Sequence, residues 1–180
     1  MDFGDRTRFG ITLELDANYG GPRLFGRFCY WMEGNVVGNY DDVTSLADLV
    51  VNMKYIIGDR GKRLCPALLD MPPAEAFRII SEALDGTSDE ILQYVAEGFM
   101  PARFDICIPV DVFDCWRIFL VEGTREARLF FFNLDVSQLS TMTLAAGEAD
   151  EVFGAAYSHL DNLYESVVVG VQGSASDAKI

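Results

Sequence analysis

The sequence FGRFCYWMEGNVVGNYDDVTSL occupies residues 25–46, and the predicted fold is built around it. Residues 24–32 are mainly apolar and aromatic, residues 33–35 read Glu-Gly-Asn, and residues 36–40 return to β-branched and aromatic side chains. Two such runs joined by a short glycine-containing turn are typical of an antiparallel hairpin. Residues 8–16 alternate in the same way, so we expect the opening part of the chain to form an antiparallel meander.

The strand predicted at residues 24–32 carries apolar side chains on both of its faces. One face holds Phe25, Cys29 and Trp31, and the other holds Leu24, Phe28, Tyr30 and Met32. A strand of this kind lies inside a sheet that is covered on both faces, or that is covered on one face and docks a partner on the other.

Helical spacing of apolar residues follows this meander. Residues 46–57 show the i, i+3, i+4, i+7 pattern and stop at a glycine, which predicts a first helix. A Pro-Pro pair opens a second predicted helix at residues 72–86, a capping box opens a third at 87–99, and residues 144–167 predict a fourth.

Strand character returns in the second half of the chain, at residues 103–108, 115–122 and 127–133. We therefore predict an α+β fold in which an antiparallel sheet of about five to six strands packs with three to four helices in a single domain. The predicted domain spans residues 1–169, and the small polar residues of 170–180 predict a disordered tail.

The charge balance limits the partners that the protein can bind. Twenty-eight acidic residues against 14 basic residues leave a formal charge of −14 and a pI near 4.3. Such a surface repels nucleic acid and anionic lipid, so neither is an expected direct partner, although solubility alone also favours acidic surfaces. The charged amino terminus and the absence of any run of about 18 to 20 apolar residues predict a cytoplasmic location.

The cysteine and histidine content argues against a metal or cofactor site. The four cysteines are Cys29, Cys65, Cys107 and Cys115, which form no C-x-x-C pair, and the chain has one histidine. We expect no zinc site, no disulfide framework and no cofactor, and we expect the thiols to be reduced and mostly buried.

Three features could support catalysis, and each has a simpler interpretation. His159 would have to be the base of any nucleophilic pair, but a single histidine on a helix is more often structural. Asp111 and Asp114 could hold a metal or act as acid and base, but carboxylates at such a position usually cap turns. Residues 58–63 (GDRGKR) carry three cations without phosphate-loop spacing, which is typical of a solvated loop.

Acidic residues are concentrated in two runs that contain no basic residue. The first run lies between Arg78 and Arg103, and the second lies between Arg128 and Lys179. Such runs usually form solvated helix faces. Their functional interpretation is an electrostatic surface that attracts a cationic protein and accelerates its association.

Four blocks of the chain together resemble the immunity protein 42 family of bacterial polymorphic toxin systems. They are GDRTRFGITLELD, LFGRFCYWMEGNVVGNY, TSLADLV and ARFDICIPVDVFDCWRIFLVE, and the resemblance covers roughly residues 2–133. It implies a small cytosolic antitoxin that binds a cognate secreted toxin domain, with no enzymatic activity and no catalytic residues. The acidic last third of the chain matches the family less distinctly.

The cytosolic location and acidic surface lead us to expect a toxin that acts in the cytosol. A basic nuclease comes first, because its positive cleft can receive an acidic protein, and an NAD-degrading or ADP-ribosylating toxin comes second. The oligomeric state stays open. The candidate toxin-binding residues are the aromatic anchors Tyr30, Trp31 and Tyr40, the rim charges Asp41 and Asp42, and the acidic run Glu82, Asp85, Asp89 and Glu90.

Two alternative functions are a small metal-assisted enzyme that uses Asp111 and Asp114, and a non-catalytic adaptor. Replacing both aspartates with asparagine separates the enzyme from the antitoxin. If the two carboxylates are turn caps, the double variant retains toxin binding in a pull-down assay. If they form a catalytic pair, the same variant loses its activity.

Overall fold

The computed structural model describes the backbone of residues 1–176 and the side chains of residues 1–168. The chain forms two compact units. The first unit contains Met1–Ile57, Ile108–Asp114 and the chain from Glu151 onward, and the second contains Gly58–Cys107 and Cys115–Asp150.

The first unit is built on an antiparallel sheet of five strands. The strands are β1 (Asp2–Gly4), β2 (Phe9–Leu15), β3 (Phe25–Met32), β4 (Asn35–Val37) and β5 (Thr44–Ser45). Their order is β1-β2-β3-β4, and β5 pairs with the first residues of β3. Helix α1 (Leu46–Gly58) follows β5 directly.

The core of the first unit is aromatic and centres on Tyr30 in β3. Its side chain is fully buried, and its ring lies 4.7 Å from the ring of Phe113 and 5.5 Å from those of Phe28 and Phe153. Aromatic pairs at these distances stabilise a core beyond the area that they bury. One face of β3 is therefore committed to this core.

The second unit is built on an antiparallel sheet of three strands. The strands β6 (Trp116–Glu122), β7 (Glu126–Asn133) and β8 (Gln138–Ala145) form a meander, preceded in the chain by helices α2 (Pro66–Asp70) and α3 (Pro73–Leu84). One face of the sheet contributes Phe119 and Phe130 to a core that also contains Leu68, Ile80 and Phe104. A last helix, α4, spans Glu148–Ser176.

A buried ion pair lies at the start of α4. Arg63 is fully buried and donates from Nη1 to Asp150 Oδ1 at 3.0 Å and from Nε to the carbonyl of Arg103 at 2.8 Å. Glu122 is also buried and accepts a hydrogen bond from the Gly147 amide at 3.2 Å. Burial lowers the pKa of Arg63 and raises the pKa of Glu122. Residues 58–63 are therefore not a wholly solvated loop, because one of their three cations serves the core.

The predicted α+β class, the antiparallel strands and the number of helices are confirmed. The strands belong to two sheets of five and three strands within the described residues, where the sequence suggested one. The meander, the helices predicted at residues 46–57 and 72–86, and the hairpin of β6 and β7 all lie where the sequence places them.

Two predicted elements were wrong, and a third begins later than predicted. The helix predicted at 87–99 is a short 3-10 turn at Glu90–Gln93, and the strand predicted at 103–108 is a 3-10 turn at Pro101–Phe104 followed by one bridge from Asp105. The helix predicted from residue 144 begins at Glu148, because residues 138–145 pair with β7 as strand β8. For residues 144 and 145, pairing with β7 determined the structure, and the helical spacing of apolar residues did not.

Helix α4 extends to Ser176 and so enters the tail predicted at 170–180, of which residues 177–180 lie outside the described part of the chain. In residues 1–176, no helix combines the length and the apolar composition that a membrane span needs.

Removing one partner of the buried ion pair should destabilise the second unit strongly. Arg63→Met leaves Asp150 and Glu122 as uncompensated carboxylates, and we expect it to lower the unfolding free energy by about 3–5 kcal/mol in urea denaturation. The double variant Arg63→Met, Asp150→Leu should recover most of this loss, since it removes the buried charge on both sides. Equal stabilities of the single and double variants would contradict this role.

Candidate functional site

Trp31 lies at the centre of a bonded cluster on the face of the first sheet opposite to Tyr30. Its indole Nε1 donates to Thr12 Oγ1 at 2.7 Å, and the guanidinium of Arg6 lies 4.5 Å from its ring centroid. Thr12 Oγ1 in turn donates to Asp2 Oδ1 at 2.6 Å, and Arg6 Nη2 donates to the same oxygen at 2.6 Å. We name Asp2, Arg6, Thr12 and Trp31 the Trp31 cluster. Its bonds hold a half-buried indole in one position.

Strand register explains why these side chains meet. Thr12 pairs with Asp2 on one side and with Cys29 on the other, and Trp31 pairs with Gly10. Gly10 leaves room for the turn that carries Arg6, because a Cβ at residue 10 would lie 3.2 Å from backbone atoms of Phe3 and Asp5 and 3.3 Å from the Arg6 nitrogen. Hydrogen bonds from Arg6 and Thr12 lower the pKa of Asp2, so its carboxylate stays ionised beside the guanidinium.

Tyr40 is attached to the same face of β2, at Glu14. Its hydroxyl donates to Glu14 Oε2 at 2.9 Å, and Arg27 lies 3.8 Å from the other carboxylate oxygen. Burial, followed by the bond to Glu14, raises the pKa of Tyr40 to about 12, so this hydroxyl stays protonated and remains a donor. Thr12 and Glu14 are two residues apart on one strand, about 7 Å, so Trp31 and Tyr40 are held on one surface.

The predicted rim charges follow Tyr40 in an exposed turn. Asp41 and Asp42 are both exposed, and Asn39 Nδ2 donates to Asp42 Oδ2 at 2.6 Å. Val43 after them is 40% exposed. We name the Trp31 cluster together with Glu14, Tyr40, Asp41 and Asp42 the Trp31 face.

Tyr30 does not belong to this face, which corrects the prediction that it could reach a partner. Its side chain has no exposed surface, because alternation along β3 directs it into the aromatic core. Trp31, the next residue, points the opposite way and is the half-buried one of the two.

The predicted acidic run lies in the second unit and is largely paired with arginine. Arg78 bridges Glu82 at 2.6 Å and Glu90 at 3.0 Å. Asp85 accepts two hydrogen bonds from the Arg117 guanidinium, at 2.9 and 3.1 Å. Asp89 is exposed at the start of the 3-10 turn Glu90–Gln93. Three of the four carboxylates therefore share two guanidinium groups, and the local negative field is weaker than the run of acids suggested.

The family model of immunity protein 42 matches residues 1–159 of the chain. The chain belongs to the immunity protein 42 family. It is therefore an immunity protein, as its resemblance to that family predicted. No curated protein sequence matches it.

A solved structure shares the fold of this immunity protein. The crystal structure of CdiI from Burkholderia dolosa AUO158 aligns with a TM-score of 0.67 and 18% sequence identity, over 88% of this chain and 99% of that chain. At this identity, the similarity shows a common fold and carries no residue roles.

Two of the residues considered for catalysis, Asp111 and His159, contact neighbouring groups in this immunity protein. Asp111 is exposed and its Oδ1 accepts the amide of Val112 at 3.0 Å, as expected of a turn cap, and Asp114 is exposed in the same turn. The ring of His159 is half-buried and lies 5.6 Å from the ring of Phe3. Among the residues that the structure describes, no group of three or more His, Cys, Asp or Glu side chains could hold a metal ion.

Two of the four cysteines, Cys29 and Cys65, are buried free thiols. Cys29 lies beneath the Trp31 face with no exposed surface, and burial raises its pKa to about 11. Burial also raises the pKa of Cys65. Thiols held in the neutral form are poor nucleophiles.

Asp105 is a half-buried carboxylate that the sequence did not single out. Its Oδ1 accepts the amide of Cys107 at 2.9 Å, and burial raises its pKa to about 6. Within the sequence, only its position among Phe104, Ile106 and Ile108 signals that it lies in an apolar segment.

Asp105→Asn should make the protein more stable at neutral pH. Below about pH 4 the carboxyl is protonated in both states, and as the pH rises the unfolded chain ionises first, so the wild type loses stability until the pH passes about 6. Asparagine cannot ionise, and we expect a gain of about 2 kcal/mol in unfolding free energy at pH 7 that disappears near pH 3.5. Urea denaturation at several pH values measures it.

Asp70→Asn, at an exposed carboxylate of the same unit, is the control and should show no comparable pH-dependent difference. If Asp105→Asn differs from the wild type by the same amount at pH 3.5 and pH 7, ionisation of Asp105 is not the cause.

Proposed function

We propose that this immunity protein neutralises a cognate secreted toxin domain in the cytoplasm by binding it through the Trp31 face and occluding its active site. The observation that carries the proposal is the fixed position of Trp31 between Arg6 and Thr12 on an accessible sheet surface. Family membership supports a toxin domain as the partner, and this geometry supports the Trp31 face as the surface that binds it.

The Trp31 face has the composition of an energetic centre of binding. Tryptophan, tyrosine and arginine are the residue types that dominate protein interfaces, and Trp31, Tyr40 and Arg6 stand together here. Binding usually costs the ordering of such side chains. Because the internal bonds of the Trp31 face already order them, that cost is reduced.

Net charge supports a basic partner more than any single acidic patch does. The chain carries a charge of −14, which attracts a cationic protein from a distance. Asp41 and Asp42 provide exposed carboxylates at the rim, whereas arginine pairs with three of the four acids in the run from Glu82 to Glu90. A nuclease with a positive cleft fits this distribution best, and an NAD-degrading or ADP-ribosylating toxin is the second choice.

The complex with the toxin domain encoded beside this protein should be tight and weakened by salt. Protection requires slow release, so we expect a nanomolar or lower dissociation constant, about −12 kcal/mol, across an interface of roughly 1,600 Å². Calorimetry at low and high salt measures both properties. A micromolar constant for this pair would count against the proposal.

Trp31→Ala should weaken this complex by about 2 kcal/mol or more, roughly 30-fold in dissociation constant, because it removes the proposed anchor. Trp31→Phe keeps an aromatic ring but loses the bond to Thr12, and should fall between the alanine variant and the wild type.

Tyr55→Ala is the matched control for Trp31→Ala. Tyr55 is an aromatic residue of α1 that is 71% exposed and makes no part of the Trp31 face. Thermal denaturation of each variant confirms that it is folded. A loss of affinity in Tyr55→Ala with none in folded Trp31→Ala would place the toxin elsewhere.

A further inference from the structure

Strand β8 is an outer strand of the three-stranded sheet, and its free edge differs from the other sheet edges of the protein. The strand is eight residues long, pairs with β7 along its whole length, and reads QLSTMTLA. It contains neither a charged residue nor a proline. Edge strands normally carry such residues, because a free edge is a template for pairing with another chain.

The hydrogen bonds at the ends of the sheet show which backbone groups point outward. In an antiparallel strand the N–H and C=O of one residue point to the same side, and the side alternates. The Gly123 amide donates to the Glu126 carbonyl, so the backbone groups of Glu126 point toward β6. The Ala146 amide donates to the Arg125 carbonyl, so the backbone carbonyl of Arg125 points to the opposite side, toward β8. Ala145 pairs with Glu126, so its backbone N–H and C=O point away from β7. Because the side alternates along the strand, the backbone groups of Leu139, Thr141 and Thr143 also point away from β7.

The outward groups of Leu139, Thr141 and Thr143 have no partner segment in residues 1–176. The last outward residue is different, since the Ala145 amide donates to Glu148 Oε2 at 2.9 Å. The edge is thus closed at its carboxyl end and open over residues 139–143.

The other edges are short or covered. Strands β1 and β4 have three residues each, and β1 contains Asp2. The edge of β6 is occupied by two loops, through bonds from the Cys65 amide to the Glu122 carbonyl at 2.8 Å and from the Ile106 amide to the Ile118 carbonyl at 3.0 Å. Only β8, among the strands described, combines length with an open and neutral edge.

Charge at the two ends of β8 identifies the occupant. Asp135 is exposed just before the strand, and Glu126 is exposed opposite its last residue, Ala145, whose amide bonds to Glu148. A second copy paired antiparallel through Thr141 would set the acidic start of one strand against the acidic end of the other. A strand with basic residues at its ends meets opposite charge at both positions.

We propose that the edge of β8 binds an extended, basic segment of the toxin domain as an added strand of the sheet. This inference rests on the proposed function, since it assumes that a toxin domain is bound, but it does not depend on the Trp31 face. Main-chain bonds to residues 139–143 supply the affinity, and the carboxylates at the ends of β8 select a cationic segment.

Thr141→Pro tests the edge directly. The amide of Thr141 points away from β7, so its loss removes no bond of the sheet, and proline is tolerated on edge strands for this reason. An incoming strand loses that donor and meets the proline ring. We expect the dissociation constant for the toxin domain to rise about tenfold or more, whereas Thr141→Val, which keeps the amide, should stay within about twofold of the wild type.

A pair of charge variants tests the chemistry of the partner without altering the backbone. Thr143 is exposed, so both Thr143→Lys and Thr143→Glu should fold. Lysine should weaken binding of a basic segment and glutamate should not. Hydrogen exchange gives a second measure, since the amides of Thr141 and Thr143 should become protected on binding, while that of Met142, which faces β7, should be protected in both states.

The outcomes separate this inference from the proposed function. If the wild type does not bind the toxin domain, both fail. Suppose that the wild type binds and that Trp31→Ala weakens binding. If Thr141→Pro and Thr143→Lys then leave binding unchanged, the β8 inference alone is overturned. If light scattering shows that the protein alone is a dimer and that Thr141→Pro makes it a monomer, the occupant is a second copy and the proposal is also wrong.

Discussion

The buried charge of Arg63 constrains how the second unit packs. A guanidinium with no exposed surface is stable only if its charge and its donors are satisfied, and Asp150 and the carbonyl of Arg103 do this. The Glu122 amide donates to the Arg63 carbonyl and the Cys65 amide donates to the Glu122 carbonyl, and these two bonds attach the same segment to the end of β6. Four stretches of chain that are distant in sequence therefore meet at one ion pair. They are the loop after α1, the turn at Pro101–Phe104, the end of β6 and the start of α4.

In the first unit, strand β3 divides two tasks between adjacent residues. Tyr30 packs into the aromatic core, and Trp31 faces the opposite side, where Arg6 and Thr12 hold it. The core makes the strand rigid, and a rigid strand presents a fixed indole. The stability of this unit and its proposed binding surface thus depend on the same eight residues of β3.

Acidity acts in this immunity protein mainly through net charge. Three of the four acids that looked most prominent as a run, Glu82, Asp85 and Glu90, are bridged by Arg78 and Arg117, so the local field of the run is reduced. Exposed ion pairs of this kind add little stability. Long-range attraction of a basic partner is then a property of the whole surface. Direct contact with that partner is the proposed role of the Trp31 face and of the edge of β8.

The sequence by itself determined the α+β class, the meander around β3, helices α1 and α3, the hairpin of β6 and β7, and the family. These depend on local periodicity and turn residues, which are written within short windows. Alternation along β3 also indicated that Trp31 and Tyr30 lie on opposite faces, and the i, i+4 spacing of Arg78 and Glu82 contained a signal of their bridge. Tertiary structure alone decided that Arg63 is buried, that Arg117 pairs with Asp85 across 32 positions, and that residues 138–145 form a strand with an open edge. Each of these depends on partners far away in the chain, and no local pattern specifies which distant residue will arrive.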